Sequence, residues 1–172
     1  ESQIDELIVR IQSAHPESWS LIRSQGLAYV IQSIKADLTA FKVNFDHWFF
    51  ESSLGSLSDK QSEISLAIQK LQKNHTFEKD GAVWLESTKF GDDKDRVIIR
   101  EDGRGTYLSA DLVYHKNKLD RGFNTIINVW GSDHHGYIKR IEATIEAFGY
   151  KKQQMQVQLV QFANLFEDGM KV

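Results

Sequence analysis

The 172-residue chain has no cysteine, which excludes disulfides, thiolate metal sites and cysteine nucleophiles. Proline occurs once, at Pro16, where it fits the first turn of a helix. No apolar run approaches the ~18 residues that cross a bilayer, and no signal peptide is evident. A cytoplasmic protein with no membrane partner is the expectation. Lys and Arg number 21 against 24 Asp and Glu, a net charge of −3. No global positive field announces a nucleic acid, so such a partner would have to be held by a local patch. Internal repeats and low-complexity tracts are also missing.

What is present is ordinary for a globular domain: 41% hydrophobic and 26% charged residues. The length suits one domain, with room for a smaller insert. The sequence starts at Glu1 without a Met and closes on "LFEDGMKV", inside what reads as a strand or loop. It therefore reads as a piece of a longer chain.

Residues 1–75 are expected to be helical. Ile4, Leu7, Ile8 and Ile11 recur at helical spacing, and Leu27, Val30, Ile34, Leu38 and Phe41 form a long apolar stripe. The aromatic run "FDHWFFESSL" at 45–54 reads as core packing. A helix over 58–73 presents Ile64, Ile68 and Leu71 on one face, with Asn74 suited to its C-terminal cap. Residues 76–104 change period: two short β-prone runs flank Asp80-Gly81, "RVIIR" at 96–100 is a third strand, and Asp102-Gly103 is a turn. The intervening "FGDDKDR" is a charged loop, and charge alone supports only a solvated turn.

From 105 to 172 strands and helices alternate. "TYLSADLVYHKNKL" at 106–119 carries Leu108, Leu112, His115 and Leu119 along one helical stripe. "NTIINVW" at 124–130 is a β-branched apolar strand, 132–148 a helix with Ile138, Ile141, Ile145 and Phe148 inward and Gly149 as its stop, and "QVQLVQF" at 156–162 a second strand. This is a parallel βαβ unit. The expected fold class is α/β: part of a Rossmann-type parallel sheet with N-terminal helices and a small inserted β-hairpin or meander.

"WGSDHHGY" at 130–137 falls where the buried strand becomes a helix, the ligand edge of an open α/β sheet. Gly131 admits a ligand close to the backbone. Ser132 or Asp133 can cap the helix, whose N-terminus suits ribose or phosphate oxygens. The motif also has bland and metallic readings. Asp133 as a cap and the histidines as polar filler need no function. His134 and His135 are adjacent and diverge by about 100° on a helix, which disfavours them as a ligand pair. Asp111 and His115 stand at i, i+4 and with Asp133 or His134 could form a metal-dependent hydrolase site. Tyr107 and Asp111, also at i, i+4, place a phenol and a carboxylate on one face, which suits a guanidinium. A solvated Asp beside a half-buried Tyr would account for them equally well.

From "FDHWFFESSL" onward the sequence closely resembles the catalytic domain of arginyl-tRNA synthetases, class I aminoacyl-tRNA synthetases. The specific blocks are "FGDDKDRV", the run Tyr107, Asp111, Tyr114, His115, then "KLDRGF" and "GSDHHGY". The resemblance implies a ligase that activates L-arginine with ATP, accompanied by Mg2+, and esterifies it to tRNA(Arg). It implies that Tyr107 and Asp111, with Asp133, bind arginine. Gly131, Asp133 and His134 would line the junction with the adenylate ribose, and Gln161 and Phe162 would lie by the adenine. Lys89, Lys94 and Arg96 on the insert would meet tRNA phosphates. No tightly bound metal is implied. Two class I signatures, the HIGH-type and KMSKS-type motifs, are absent from the sequence. The catalytic residues are therefore unassigned, and the piece alone is expected to be inactive. A non-catalytic synthetase-like module is the remaining alternative.

Overall fold

The computed structural model describes residues 2–172. The chain forms two compact units, one ending at Trp48 and the other spanning Phe49–Val172.

The first unit is a helix pair, α1 (Ser2–Ala14) and α2 (Pro16–Ala40). Pro16 opens α2, where its missing N–H costs no hydrogen bond. The apolar stripe of α2 does not form a core: none of its residues is buried, and Phe41 just beyond it is 83% exposed. Within this unit α2 packs on α1, and Ile4 and Leu7 of α1 are exposed as well. The aromatic run divides similarly. Phe45 and Phe50 are exposed, whereas Leu54 is buried and Phe49 packs against the core of the second unit.

In the second unit α3 spans Glu63–Gln72, shorter than the periodicity predicts. Ser62 sets its start: its hydroxyl accepts the Ser65 N–H at 3.2 Å and caps the first turn. The C-terminal cap falls on Lys73, one residue before Asn74. Then β1 (Thr76–Lys79), β2 (Ala82–Leu85) and β3 (Arg96–Ile99) form an antiparallel meander in that order. The β1–β2 turn needs positive φ at two successive residues, supplied by Asp80 (51°) and Gly81 (72°).

The loop before β3 is more than a solvated turn. Arg96 is buried, and its guanidinium donates to both oxygens of the buried Asp92, at 2.8 and 2.9 Å, and to Asp93. Burial opposes ionisation of Asp92, but the hydrogen bonds from Arg96 prevail and hold its carboxyl well below the usual range.

The helix α4 (Tyr107–Asp120) is anchored to β3 at its first turn. Thr106 donates its hydroxyl to the Val97 carbonyl at 3.0 Å, and Ser109 donates to that of Ile98. β4 (Ile126–Gly131) and β5 (Met155–Val160) pair in parallel, from Ile126 with Met155 to Gly131 with Val160. Between them lie a 3-10 turn over Ser132–Tyr137 and α5 (Ile138–Ala147), closed by Gly149 at φ 92°. The predicted helix over 132–148 is thus split. Its first six residues carry Gly136 and few strong helix formers, and no side chain caps them. Two further short strands, β6 (Phe166–Glu167) and β7 (Met170–Lys171), form a terminal hairpin.

One core joins α3, β2, β3, α4, β4 and α5, with Leu71, Leu85, Ile98, Leu112 and Ile141 fully enclosed. Alternation along β4 turns Ile126 and Asn128 inward and leaves Ile127 65% exposed. Leu112→Ala should therefore cost about 2–5 kcal/mol of stability, and Ile127→Ala no more than about 0.5 kcal/mol. Urea midpoints of the two variants check this. Equal losses would mean the faces of β4 are reversed.

Candidate functional site

The site lies between α4 and the carboxyl end of β4. On α4, residues Tyr107, Asp111, Tyr114 and Lys118 follow one another at i, i+4, i+7 and i+11 and so share a face. They line a cavity of about 440 Å³, within the range of small-molecule pockets. Trp130 from β4, with His134 and Tyr137 from the 3-10 turn, completes it. Apart from the half-buried Lys118, the walls are aromatic around one carboxylate, Asp111.

A buried polar chain holds this wall. Lys118 donates to Asn128 Oδ1 at 2.9 Å, and Asn128 Nδ2 lies 3.1 Å from His115 Nε2. His115 Nδ1 lies 2.8 Å from the main-chain carbonyl of Asp111. Lysine can only donate, so the Asn128 oxygen must face it and the amide nitrogen must face His115. Nε2 then accepts, and the proton resides on Nδ1, which donates to Asp111. Burial, and secondarily the Lys118 charge, push His115 down to about 4. It is neutral at physiological pH. Burial and the nearby Arg121 charge push Lys118 down to about 8, against the pull of Asp111. The ammonium also sits 4.2 Å over the Tyr114 ring, which stacks on Phe49.

Asp111 itself accepts the Tyr137 phenol on Oδ2 at 2.9 Å. Among the described residues no donor reaches Oδ1. Tyr107 is 88% exposed at the rim and also borders a wider hollow of about 710 Å³. That hollow presents Arg100 and Arg104 together with Glu51 and Asp102, so its charges offset. The smaller cavity offers one carboxylate acceptor among aromatic rings, a setting whose chemistry suits a planar cation.

The structure brings Gly131, Asp133 and His134 together at the carboxyl edge of β4. A Cβ on Gly131 would stand 2.4 Å from Asp133 Oδ1, so glycine is what lets this carboxylate fold back on the strand end. His134 Nε2 is 3.6 Å from Asp133 Oδ2, and both side chains are exposed. Ser132 caps nothing: its hydroxyl donates to Gln161 Oε1 at 3.0 Å and ties the ends of β4 and β5. Phe162 follows, exposed. On the insert, Lys89 is exposed and paired with Glu86 at 2.7 Å, and Lys94 is exposed. Arg96 does not join them, because it is buried and its charge is paired with the buried Asp92 and with Asp93.

The hydrolase arrangement is not formed. Both nitrogens of His115 are engaged, one by a carbonyl and one by an amide. Among the described residues no group of three or more His, Asp or Glu is placed to hold a metal ion. Sequence reasoning overlooked Tyr137, Asn128 and Lys118. The available signal was Asn128, a polar residue at an inward position of an apolar strand.

Neutral His115 couples stability to pH. Its folded value, about 4, lies below the ordinary 6.5, so the unfolded chain binds more protons between these limits. Stability contributed by the neutral ring is complete above about 6.5 and is lost as pH falls toward 4, by roughly 3 kcal/mol. His115→Gln can keep both hydrogen bonds without titrating. Urea unfolding from pH 7 to 4 should show wild type losing about that much more than the variant. Parallel curves would place a charged imidazole in the core.

The chain has known relatives in both sequence and fold. A sequence model described as tRNA synthetases class I (R), catalytic domain, matches residues 2–172. The arginine–tRNA ligase of Oceanobacillus iheyensis is 52% identical over 158 residues, covering 92% of this chain and 28% of that protein. That of Bacillus subtilis is 46% identical over 163 residues, covering 94% and 29%. Among solved structures, an arginyl-tRNA synthetase from Campylobacter jejuni aligns with a TM-score of 0.81 at 37% identity, over 91% of this chain and 34% of its own. The Thermus thermophilus enzyme aligns at 0.66 with 17% identity over 88% and 33%, a likeness of fold alone. The chain therefore spans under a third of the length of the curated relatives cited here. With the family's sequence model matched from residue 2 to residue 172, the chain belongs to the catalytic domain of the class I tRNA synthetases (R).

Proposed function

We propose that the chain is the amino-acid-selecting part of an arginine–tRNA ligase. The observation that carries this reading is Asp111, a carboxylate with one oxygen held by Tyr137 and the other unclaimed, in a ring-walled cavity of about 440 Å³. The arginine guanidinium sits on Asp111, flanked by Tyr107 at the rim. The reacting end of the amino acid lies toward Gly131 and Asp133, where His134 also faces the adenylate ribose. Gln161 and Phe162, at the end of β5, border the adenine. In the reaction, the arginine carboxylate attacks the α-phosphate of ATP, which Mg2+ would accompany, and pyrophosphate leaves; a 3′-terminal ribose hydroxyl of tRNA(Arg) then attacks the carbonyl of the arginyl adenylate, and AMP leaves.

This chain's residues bind and orient rather than stabilise the transferring phosphoryl group. On the insert, Lys89 and Lys94 are the residues we assign to tRNA phosphates, with Arg96 left out. A cytoplasmic setting accords with these substrates, and no helix among the described residues is long and apolar enough to cross a membrane.

A cation held by a carboxylate away from bulk water loses a charge-assisted partner when that carboxylate becomes an amide. Such losses run to about 2–5 kcal/mol for buried pairs, and about 1.4 kcal/mol is a decade. In the complete gene product, Asp111→Asn should raise the arginine KM, or lower kcat/KM for arginine, at least about tenfold. The KM for ATP should change far less. Intact arginine kinetics with impaired ATP binding would mean the two pockets are exchanged.

A further inference from the structure

We infer that Tyr137 is a positioning residue for arginine capture: by donating its phenol to Oδ2 of Asp111, it fixes the carboxylate so that Oδ1 is presented to the guanidinium. This rests on the arginine reading of the cavity. The geometry has three parts. The phenol oxygen is 2.9 Å from Oδ2, across 26 residues of sequence, so the bond joins the 3-10 turn after β4 to the middle of α4. Asp111 has its main-chain carbonyl held by His115, which leaves side-chain rotation as its remaining freedom. Tyr137 supplies the one hydrogen bond that stops this rotation. The ring is itself fixed, edge-on to Trp130 at 6.3 Å between centroids and under the Arg140 guanidinium at 5.1 Å.

The phenol is a dependable donor. Burial first, and then the charge and hydrogen bond of Asp111, push its ionisation well above the ordinary tyrosine value, while Arg140 and Arg96 pull the other way more weakly. It keeps its proton at every pH at which a synthetase works. A hydroxyl that donates to Asp111 also retains lone pairs, so a planar guanidinium N–H can bond to the carboxylate and the phenol oxygen together. A donor that is held before the ligand arrives removes an ordering cost from binding. The other polar contacts of the site fix the main chain or the far wall, and no other side chain among the described residues bonds to this carboxylate.

The test is a double-mutant cycle on the arginine KM of the complete gene product, using Tyr137→Phe, Asp111→Ala and the pair. Tyr137→Phe keeps the ring and its contacts with Trp130 and Arg140. Alone it should raise the arginine KM about five- to tenfold, with the ATP KM and the thermal midpoint unchanged. In the Asp111→Ala background it should do almost nothing, because the carboxylate it positions is gone. If Asp111→Ala does not fold, Asp111→Leu, which likewise has no side-chain acceptor, replaces it in the cycle. Equal effects of Tyr137→Phe in both backgrounds, or no effect in the wild type, would overturn the inference and leave the Asp111 assignment intact. An unchanged arginine KM on losing the Asp111 carboxylate would instead overturn the reading on which it rests.

Discussion

The amide of Asn128 is the constraint on which the cavity depends. It sits on β4, is 5% exposed, and faces α4. Because Lys118 has only protons to give, the amide has one permitted orientation. That orientation fixes the tautomer of His115, and the tautomer fixes the donor to the Asp111 carbonyl. Three side chains and one main-chain group are thus determined by a single rule about donors and acceptors. Removing the amide would leave a buried imidazole nitrogen without its partner and an ammonium without its acceptor, each a larger loss than the net worth of one hydrogen bond. This network ties α4 to β4 beside the cavity that Asp111 lines and Tyr107 rims.

The inserted meander is joined to the same machinery from the other side. Its 3-10 turn, Ser87–Phe90, packs on α5, and Arg96 lies close enough to Tyr137 to influence its ionisation. The Asp92–Arg96 pair is buried, and its cost of desolvation is offset by the two hydrogen bonds from the guanidinium to Asp92 and the further one to Asp93. Its effect is geometric: it clamps the loop that leads into β3, and β3 receives the first turn of α4 through Thr106 and Ser109. The insert therefore bears on where Tyr107 stands.

Much of this was legible in the sequence where the signal is periodic. The stripe Leu108, Leu112, His115, Leu119 follows from helical spacing, and all four are buried. The Asp80-Gly81 hairpin follows from turn chemistry, and the parallel pair from strand–helix–strand order. Tyr107 and Asp111 could be put on one face because i, i+4 neighbours are fixed by the helix itself. Tyr137 could not be placed beside Asp111, because that contact depends on how a split helix turns after Gly131. The charge of "FGDDKDR" was readable, but its pairing was not, since Asp92 and Arg96 are four apart without being helical. The stripe on α2 shows the opposite limit. Periodicity identifies the face that seeks burial and is silent on whether a partner lies within the same compact unit.

The central claim is that a guanidinium binds Asp111 between these rings, and a crystal structure of the complete gene product grown with L-arginine addresses it most directly. The account predicts guanidinium nitrogens at hydrogen-bond distance from Asp111 Oδ1, the Tyr137 phenol still on Oδ2, and the amino-acid end toward Gly131 and Asp133. Arginine bound with its guanidinium away from Asp111, or its carboxylate against that side chain, would contradict it.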